Sequence, residues 1–595
     1  MYQQNYYVPK ESGTLTDTLV AFGAAKVLEE IVRRSINEAS VIVHDVGHCY
    51  MLDAGVVIQE SWIDALAPFE QIQFLTSSKV DLPVDLVGMA ARNIDAEWDR
   101  FRQYQEQRKQ LSDRKIVGEE LEQALADLKP KPDWTIVTYL GDYRMQAQAI
   151  HNGVVEQWRR TSQDFFGLNL RTILAMFSSM AADHDALAAQ WKKATKGTDF
   201  GDTVTASQLF NPSMGKGQNR PKSNGLAMGN EKNFWLLDYL KAVGLWEAAA
   251  PRNAQNADLR KTYVLAPRRI ALNAHRTIFN RFRDRLWNNT SIKMDIMAAL
   301  LYTDALLDYS TEGENLGIFN DGAVQDLVAG MNVVTYQLLS QNSYTMMNLA
   351  FIGLPKWMPQ IQTLSDAQEF QAIVQEHMER IGGIDEEKSE GQTLLRCYRD
   401  FVSGNDLPRL FDFCTGYAGY LMGEIEHSRF YVKPFSEYNL RRLIEMTNPK
   451  LTPILQSQGF RNIAEAIRRS TVIPQYLGRK TSRFDIRYGL GSDLKRQSNY
   501  ADDFIQALSD FMHSYNDETA RVYERTKGTD PSARRKTITT EDIADIVRLI
   551  DEYDPKTICN LLVAFGYARD PKVKEVEETM LLTSASADET ITQPV

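Results

Sequence analysis

The amino-acid sequence predicts a helix-rich α+β fold, in which a mixed α/β N-terminal body precedes a C-terminal helical bundle. Apolar residues recur at helical spacing over residues 18–35, and short β-branched runs at residues 41–43 and 55–58 are typical of strands. Near the other end of the chain, the apolar residues of 504–522 fall along one helical stripe. We therefore expect strands and helices in the first part and helices alone in the last.

The segments that follow the first strands alternate between helical and strand-like patterns. Residues 97–128 show a long charged helical pattern. The prolines within residues 129–132 stop it, because proline lacks an amide donor and disfavours a helical predecessor. Residues 134–140 are strand-like in sequence. Helical patterns dominate residues 230–430, although residues 262–265 indicate a further strand.

Residues 436–572 differ in composition and predict a compact helical bundle. Thr539 and Asp542 have the spacing of a capping box, in which the side chain of each residue bonds the backbone amide of the other. Pro555 is suited to the first turn of the next helix, which is expected to end near Gly566. These local signals define where helices of the bundle begin and end.

Length, composition and charge restrict the class of protein. A chain of 595 residues exceeds one hydrophobic core and predicts two or three domains. The formal charge of −11 argues against indiscriminate binding of polyanions. Neither a secretory signal nor an apolar run of bilayer length is found, so we expect a cytoplasmic protein without membrane contact. The widely spaced cysteines, Cys49, Cys397, Cys414 and Cys559, predict no disulfide framework and no zinc knuckle.

Residues 211–235 form the most informative stretch of the chain. Glycines, asparagines and four cations are concentrated there against a single acid. Glycine lets a backbone approach a ligand closely, and cations and amides bind phosphate oxygens and base edges. Because the apolar residues 234–240 follow at once and must be buried, we predict a nucleic-acid-contacting loop anchored to a rigid body; the alternative is a mobile surface loop. The candidate contacts are Asn211, Lys216, Asn219, Arg220, Lys222, Asn224 and Lys232.

Two further segments are strongly basic. Residues 252–287 carry nine cations and two acids, a net formal charge of +7, interleaved with aromatic residues. Residues 461–499 carry nine cations and three acids, a net formal charge of +6. Such sequence is typical of a groove that follows a phosphate backbone, and the alternative is a solvated surface. The candidates are Arg268, Arg269, Arg468, Arg469, Arg479, Lys480, Arg483 and Arg487.

No catalytic motif is complete. A phosphate-binding loop requires two glycines flanking four residues, followed by Lys and then Ser or Thr at the start of a helix, whereas here Gly217 follows Lys216 and Pro221 comes soon after. His44, Asp45 and His48 resemble part of the metal site of phosphohydrolases, yet no upstream histidine exists to complete it, and a structural turn is the preferred interpretation. We therefore expect no catalytic residue, no metal and no cofactor.

The combined features resemble the large subunit of a type I CRISPR surveillance complex (Cascade), most closely the variants of cyanobacteria and myxobacteria. The resemblance covers most of the chain as a general pattern. The residues that carry it are Asn211-Pro212-Ser213-Met214-Gly215-Lys216-Gly217 with Asn219-Arg220, Lys232-Asn233-Phe234-Trp235, Gln458-Gly459-Phe460-Arg461-Asn462-Ile463-Ala464, Arg487-Tyr488-Gly489-Leu490-Gly491 and Asp493-Leu494-Lys495-Arg496.

The resemblance implies a non-catalytic, RNA-guided DNA-binding subunit. Its expected partners are a guide RNA, target double-stranded DNA, the other Cascade backbone subunits, and an effector helicase-nuclease or a transposition recruitment factor. Base pairing with the guide reads sequence in such systems, while protein reads the adjacent duplex motif and stabilises the R-loop. Two alternatives remain: a metal-dependent phosphohydrolase or nuclease centred on His44, Asp45 and His48, and a protein-only helical scaffold.

The expected organisation has four parts. Residues 1–210 form a mixed α/β region, 211–435 a mainly helical continuation with the loop, 436–572 a small-subunit-like bundle, and 573–595 a disordered tail.

Overall fold

A computed structural model describes most of the chain as two compact units. The N-terminal unit comprises residues 1–291 and 324–354, and the C-terminal unit comprises residues 292–323 and 355–595. The fold class is helix-rich α+β, as predicted. The sequence-based domain boundaries and the independent folding of residues 436–572 remain predictions. The described residues are 1–38, 40–86, 88–116, 118–212, 232–255, 258–312, 315, 317, 324–340, 343–355, 357, 361–404, 407–477, 482–526 and 535–569.

The N-terminal unit alternates strands and helices. Its elements are β1 (Asn5–Pro9), α1 (Leu15–Ile36), β2 (Ile42–Asp45), β3 (Cys49–Asp53), α2 (Glu60–Ala65), β4 (Phe74–Thr76), β5 (Ala91–Asn93), α3 (Ile94–Asp113), α4 (Glu119–Leu125), α5 (Trp134–Leu140), α6 (Gln148–Asp164), α7 (Phe166–Met176), α8 (His184–Ala194), β6 (Thr203–Thr205), β7 (Lys232–Phe234), α9 (Trp235–Ala248), β8 (Ala249–Asn253), β9 (Leu259–Pro267), β10 (Arg269–Ala271) and α10 (Leu272–Arg285), and later α12 (Val324–Leu327), β11 (Val328–Ser340) and β12 (Ser343–Gly353).

Two four-stranded antiparallel sheets organise this unit. One has the strand order β1-β3-β2-β10 and the other β12-β11-β9-β8. Helices α1 and α9 cross at close range because glycines lie at the crossing. A Cβ atom on Gly23 would overlap the carbonyl oxygen of Leu240, and one on Gly244 would overlap that of Leu19. This crossing fixes α9, and with it the chain that enters α9 from β7.

The described residues of the C-terminal unit form helices joined by loops, with no β-structure beyond an isolated bridge between Ser436 and Arg569. Helix α15 packs against α14 and α23, and α18 packs against α22 and α23. An aromatic core includes Trp357 stacked on Phe401 at 5.5 Å between ring centroids. The helices are α11 (Ser291–Ser310), α13 (Leu364–Gly382), α14 (Ser389–Val402), α15 (Leu407–Glu426), α16 (Glu437–Thr447), α17 (Thr452–Gln456), α18 (Gln458–Ser470), α19 (Val472–Leu477), α20 (Leu490–Gln497), α21 (Ala501–Arg525), α22 (Thr540–Glu552) and α23 (Pro555–Gly566).

Several predicted elements are confirmed. Helix α1 covers the predicted helix at residues 18–35, and β9 covers the predicted strand at 262–265. Thr539 and Asp542 form the predicted capping box, and α23 begins and ends at the predicted residues. The predicted tail, residues 573–595, lies outside the described residues.

Three predicted assignments are wrong. Residues 134–140 form helix α5, because Ile136, Val137 and Leu140 are buried and α5 packs on β8, which overrides their β propensity. Residues 55–58 form no strand: β3 ends at Asp53, and Gly55 adopts a left-handed φ of +74°. The long hairpin β11–β12 occupies a region predicted to be helical.

Within the described residues, no helix combines the length and the apolar character needed to cross a membrane.

Candidate nucleic-acid interface

The two ends of the predicted nucleic-acid-contacting loop lie next to each other. Strands β6 and β7 pair antiparallel, with Thr205 opposite Lys232. The Asn233 side-chain amide donates to Asn211 Oδ1 at 3.5 Å. Asn211 and Asn233, which flank residues 213–231 in the sequence, are therefore neighbours in the folded unit. Residues 213–231 lie outside the described residues, so the contacts assigned to Lys216, Asn219, Arg220, Lys222 and Asn224 stay predictions.

A buried polar network anchors both ends of this loop. Lys241 Nζ donates to Asn211 Oδ1 at 2.7 Å and forms an ion pair with Asp238 Oδ1 at 2.9 Å. The Asn233 amide also donates to Asp238 Oδ1, at 3.1 Å. The Asp238 side chain is fully buried and that of Lys241 is 8% exposed. A buried ion pair requires such hydrogen-bonded surroundings, so these four side chains, which we call the loop anchor, depend on one another.

The apolar run after the loop is buried, as predicted. Phe234, Trp235, Leu236, Tyr239 and Leu240 are all core residues, and Trp235 contacts Trp191 edge to face at 5.5 Å between ring centroids. Trp158 stacks on Tyr239 at 4.3 Å. The loop anchor therefore stands on a rigid aromatic core.

A cavity of about 390 Å³ opens beside the loop anchor. Its wall includes Asn211, Lys232 and Lys241, but also Asp17 and Asp185. Burial raises the pKa of the Asp17 carboxyl, although hydrogen bonds from Ser12 oppose this shift. Donors and acceptors of both signs are better suited to base edges than to phosphate oxygens alone. Lys232, a predicted contact, is exposed at this wall.

The sheet brings two separately predicted motifs together. In the pairing of β10 with β2, Arg269 lies opposite His44, and the Asp45 amide donates to the carbonyl oxygen of Arg268 at 2.6 Å. Arg268 and Arg269 are exposed. Lys10 forms an ion pair with Asp45 at 2.6 Å, and sequence reasoning missed it because only the folded sheet brings it to this edge. We call Lys10, Arg268 and Arg269 the basic edge.

The segment from His44 to Cys49 forms a tight hairpin turn between β2 and β3. Asp45 Oδ1 accepts from the amide of Gly47 at 2.8 Å and from Lys10. Gly47 adopts a φ of +96°, which favours glycine. Among the described residues no three His, Cys, Asp or Glu side chains are grouped so that they could hold a metal ion. The turn agrees with the preferred interpretation, while the absence of a catalytic metal stays a prediction.

The predicted basic segment 252–287 divides into buried and exposed arginines. Arg252 and Arg283 are buried and donate mainly to backbone carbonyl oxygens. Arg260 is paired with Asp142, and Arg276 with Glu29 and Glu247. Only part of this segment therefore presents its charge at the surface.

The predicted C-terminal cations lie largely beside carboxylates. The side chain of Arg468 is 4% exposed, pairs with Glu437 at 2.6 Å and donates to the carbonyl oxygen of Phe565 at 2.8 Å. A contact between Arg468 and nucleic acid would require this pair to open. Arg483 is exposed, and Arg479 and Lys480 lie outside the described residues. The remaining pairs are Arg469 with Glu465 at 2.7 Å and Arg487 with Glu518 at 3.3 Å.

No protein-family model matches the chain, and no curated protein matches it either.

Proposed function

We propose that this chain is the non-catalytic large subunit of an RNA-guided DNA-binding complex of the Cascade type. In this role the loop from Asn211 to Lys232 contacts the target-adjacent duplex motif or the 5′ end of the guide RNA. The observation that supports the proposal most directly is the loop anchor, which holds both ends of a glycine-, asparagine- and lysine-rich segment on a buried core.

A loop that reads a nucleic acid must be positioned accurately, whereas a mobile connection has no need of a buried ion pair at its base. Recognition loops on rigid scaffolds are a common arrangement of binding sites. Asn211 and Lys241 supply that rigidity at one end, and Asn233 and Asp238 at the other. The exposed side chain of Lys232 is then presented from a fixed strand.

The basic edge supports the same function from a second element. Arg268 and Arg269 are exposed cations on a chain whose net charge is −11. An acidic chain with local cations favours a partner that is already oriented by other subunits, because free polyanions are repelled by the rest of the surface. Guide RNA and backbone subunits would provide that orientation, and an effector helicase-nuclease or a transposition factor would be recruited afterwards.

The first test is the composition of the native assembly. The tagged chain is purified from its own host at physiological salt, and the bound RNA is sequenced. We expect short RNAs that share a common 5′ end, together with backbone subunits. An assembly without RNA would reject this function and favour the protein-only scaffold.

The second test concerns the loop itself. In the purified assembly, Lys216→Ala with Asn219→Ala, and separately Lys232→Ala, should weaken binding of target duplex by about 5- to 150-fold, corresponding to roughly 1–3 kcal/mol. Lys192→Ala removes an exposed lysine of the same unit that lies away from the cavity wall and serves as the matched control. Unchanged binding by both loop variants would reject the loop assignment while leaving the RNA result intact.

The phosphohydrolase alternative has its own test. Replacing His44 and His48 with alanine should change no activity of the assembly as long as it folds. Stoichiometric metal at these side chains, or nuclease activity that the double variant abolishes, would establish the alternative.

A further inference from the structure

A second cavity of the N-terminal unit combines aromatic rings with buried cations. It encloses about 410 Å³, within the range of small-molecule sites, roughly 300–1,000 Å³. Helix α3 forms one wall, and residues 129–135 with the end of α10 form the others. We call it the aromatic–arginine pocket; the residues that matter are Phe101, Arg108, Trp134, Arg252, Arg283 and Trp287.

Two buried guanidinium groups line this pocket beside neutral partners. Arg252 donates to the carbonyl oxygens of Leu286, Pro251 and Arg283 and to Thr135 Oγ1. Arg283 donates to the carbonyl oxygens of Trp246 and Ala249 at 2.7 and 2.6 Å, and to that of Leu245 at 3.5 Å. Within the described residues, neither guanidinium forms an ion pair with a carboxylate. Both positive charges are therefore buried among neutral hydrogen-bond partners, and carboxylates such as that of Asp284 act on them only from beyond ion-pair distance.

The pocket accordingly favours an anion. Burial lowers the pKa of Arg252 to about 9, with the charge of Arg283 adding to the effect, and burial lowers that of Arg283 to about 10. Asp284 is the acidic residue of the wall, and it lies 3.6 Å from Lys129. A buried charge without a partner is costly, and a bound anion would remove part of this cost.

Aromatic rings face the same space. Phe101 stacks on Trp134 at 4.3 Å between centroids with an interplanar angle of 20°, and both rings are half-buried. Trp287 lies parallel to Tyr104 at 5.7 Å. The guanidinium of Arg108, an exposed residue, lies 5.7 Å from the centre of the Trp287 ring. Rings with cations at their margins are the combination that holds a planar base and its phosphate.

We propose that the aromatic–arginine pocket binds one nucleotide, with the base against the Trp134 and Trp287 rings and the phosphate beside Arg108 and the buried arginines. The ligand is either a free mononucleotide or a single unpaired nucleotide of a strand, since both present the same chemistry. Gln105 and Asn288 lie at the wall and supply hydrogen bonds to base edges. The inference rests on this pocket alone and is independent of the function proposed above.

The test uses the purified full-length chain and its tryptophan fluorescence, with calorimetry as the second measurement. The probes are AMP, adenosine, inorganic phosphate, and single-stranded oligo(dA) and oligo(A) of about ten nucleotides. We expect AMP to bind at least about tenfold more tightly than adenosine or phosphate, because only AMP meets both the rings and the cations. Tighter binding of the oligonucleotides than of AMP identifies a strand as the source, and the reverse identifies a free nucleotide.

Two variants locate the binding within the pocket. Arg108→Ala should weaken AMP binding about tenfold, whereas Arg102→Ala, an exposed arginine on the same helix but not of the pocket wall, should leave it unchanged. Because Arg108 is exposed, its loss leaves folding intact. Gln105→Trp fills the cavity without removing a cation and should abolish binding. Absence of AMP and oligonucleotide binding at millimolar concentration, equal affinity for AMP and phosphate, or equal effects of Arg108→Ala and Arg102→Ala would overturn the proposal.

Discussion

The two basic segments of the chain are similar in sequence and different in structure. Residues 252–287 and 461–499 carry nearly the same excess of cations. In the first, Arg252 and Arg283 are buried against neutral carbonyl oxygens. In the second, arginines are paired with carboxylates, as Arg468 is with Glu437. The first segment thus contains two buried arginines whose direct partners are neutral, beside ion pairs such as that of Arg260 with Asp142, whereas the buried Arg468 of the second segment is paired with a carboxylate.

This difference between the segments shows that the formal charge of a segment leaves out acidic partners from other parts of the chain. The carboxylates that pair with Arg468 and Arg487 are those of Glu437 and Glu518, and both lie outside residues 461–499. Counting charges along a segment therefore includes the cations and misses the acids that neutralise them. Local excess charge identifies candidate surfaces, and only the folded chain decides which of them attracts an anion.

The largest effect should come from removing a buried arginine of the first segment. Arg252→Met leaves the carbonyl oxygens of Leu286, Pro251 and Arg283 without their donor, and we expect the free energy of unfolding to fall by about 3 kcal/mol. Urea denaturation followed by tryptophan fluorescence measures this, because eight of the nine tryptophans belong to the N-terminal unit.

The control for this experiment is Arg102→Met, which removes an exposed arginine from α3 and should change the free energy of unfolding by less than about 0.5 kcal/mol. If Arg252→Met lowered the free energy of unfolding as little as Arg102→Met, the carbonyl oxygens around Arg252 would have other donors. The buried arginines of the first segment would then not differ from exposed ones.

A somewhat smaller effect should appear as a pH dependence. Burial lowers the pKa of His275 to about 3, helped by the charges of Arg283 and Arg276, although a hydrogen bond to the carbonyl oxygen of Glu247 opposes the shift. Because this folded-state pKa lies below the unfolded value of about 6.5, stability is fully present above pH 6.5 and is lost as pH falls toward 3. His275 alone should cost about 2 kcal/mol between pH 7 and pH 5.

The measurement compares His275→Gln with the unaltered chain across this range by the same denaturation. The difference in unfolding free energy between the unaltered chain and His275→Gln should become smaller as pH falls. The same difference measured for His48→Gln, a change at an exposed turn, should stay constant. A constant difference from pH 7 to pH 5 would mean that His275 is not held neutral by its surroundings.

The sequence predicts well those features that depend on residues close together in the chain, such as helix ends. It predicts poorly those that depend on long-range contacts, such as strand pairing. Pro555 and Gly566 mark the ends of α23, and Thr539 with Asp542 caps α22, because each signal acts within a few residues. The strand-like residues 134–140 became helix α5 because packing on β8 outweighs propensity. No local pattern reveals β11–β12 as a hairpin paired to β9, since that pairing joins residues far apart in sequence.

The candidate site follows the same rule. Composition predicts Asn211 and Lys232 as contacts, which stay predictions, whereas the burial that the apolar run 234–240 predicts is confirmed. Lys241 and Asp238 were not found, because a single lysine and a single aspartate within an apolar helix acquire meaning only when the helix packs. The acid that pairs with Arg260 is Asp142, 118 residues earlier in the chain, and the sequence contains no signal that connects them.

A moderate effect should come from the paired arginine of the second segment. Glu437→Gln removes the charge beside the buried Arg468, and we expect a loss of about 1.5 kcal/mol, reduced from the fully buried case because Glu437 is 23% exposed. Hydrogen exchange at the amides of α18 and α23 measures the loss, since Arg468 of α18 also bonds the carbonyl oxygen of Phe565 in α23.

Glu465→Gln breaks the more exposed pair with Arg469 in the same helix and should change the exchange rates little. Equal protection in both variants would show that the Arg468 charge is stabilised without Glu437, which would make the second segment resemble the first.

The last prediction compares the two segments directly through the salt dependence of DNA affinity. In the purified assembly, Arg268→Ala with Arg269→Ala should reduce the slope of the logarithm of DNA affinity against that of salt concentration by up to about 2, because each phosphate contact releases about 0.9 of a counterion. Arg469→Ala with Arg487→Ala should reduce it less, since these two side chains are less exposed than Arg268 and Arg269 and contact Glu465 and Glu518. Because Arg487 also contacts Ser514 and the buried Glu518, the free energy of unfolding of each double variant is measured beside its DNA affinity, and only slopes from folded protein are compared. Equal reductions of the slope by the two pairs of changes would mean that the paired arginines leave their carboxylates and contact phosphates when DNA binds. The cations of the second segment would then contribute to DNA binding as much as those of the first.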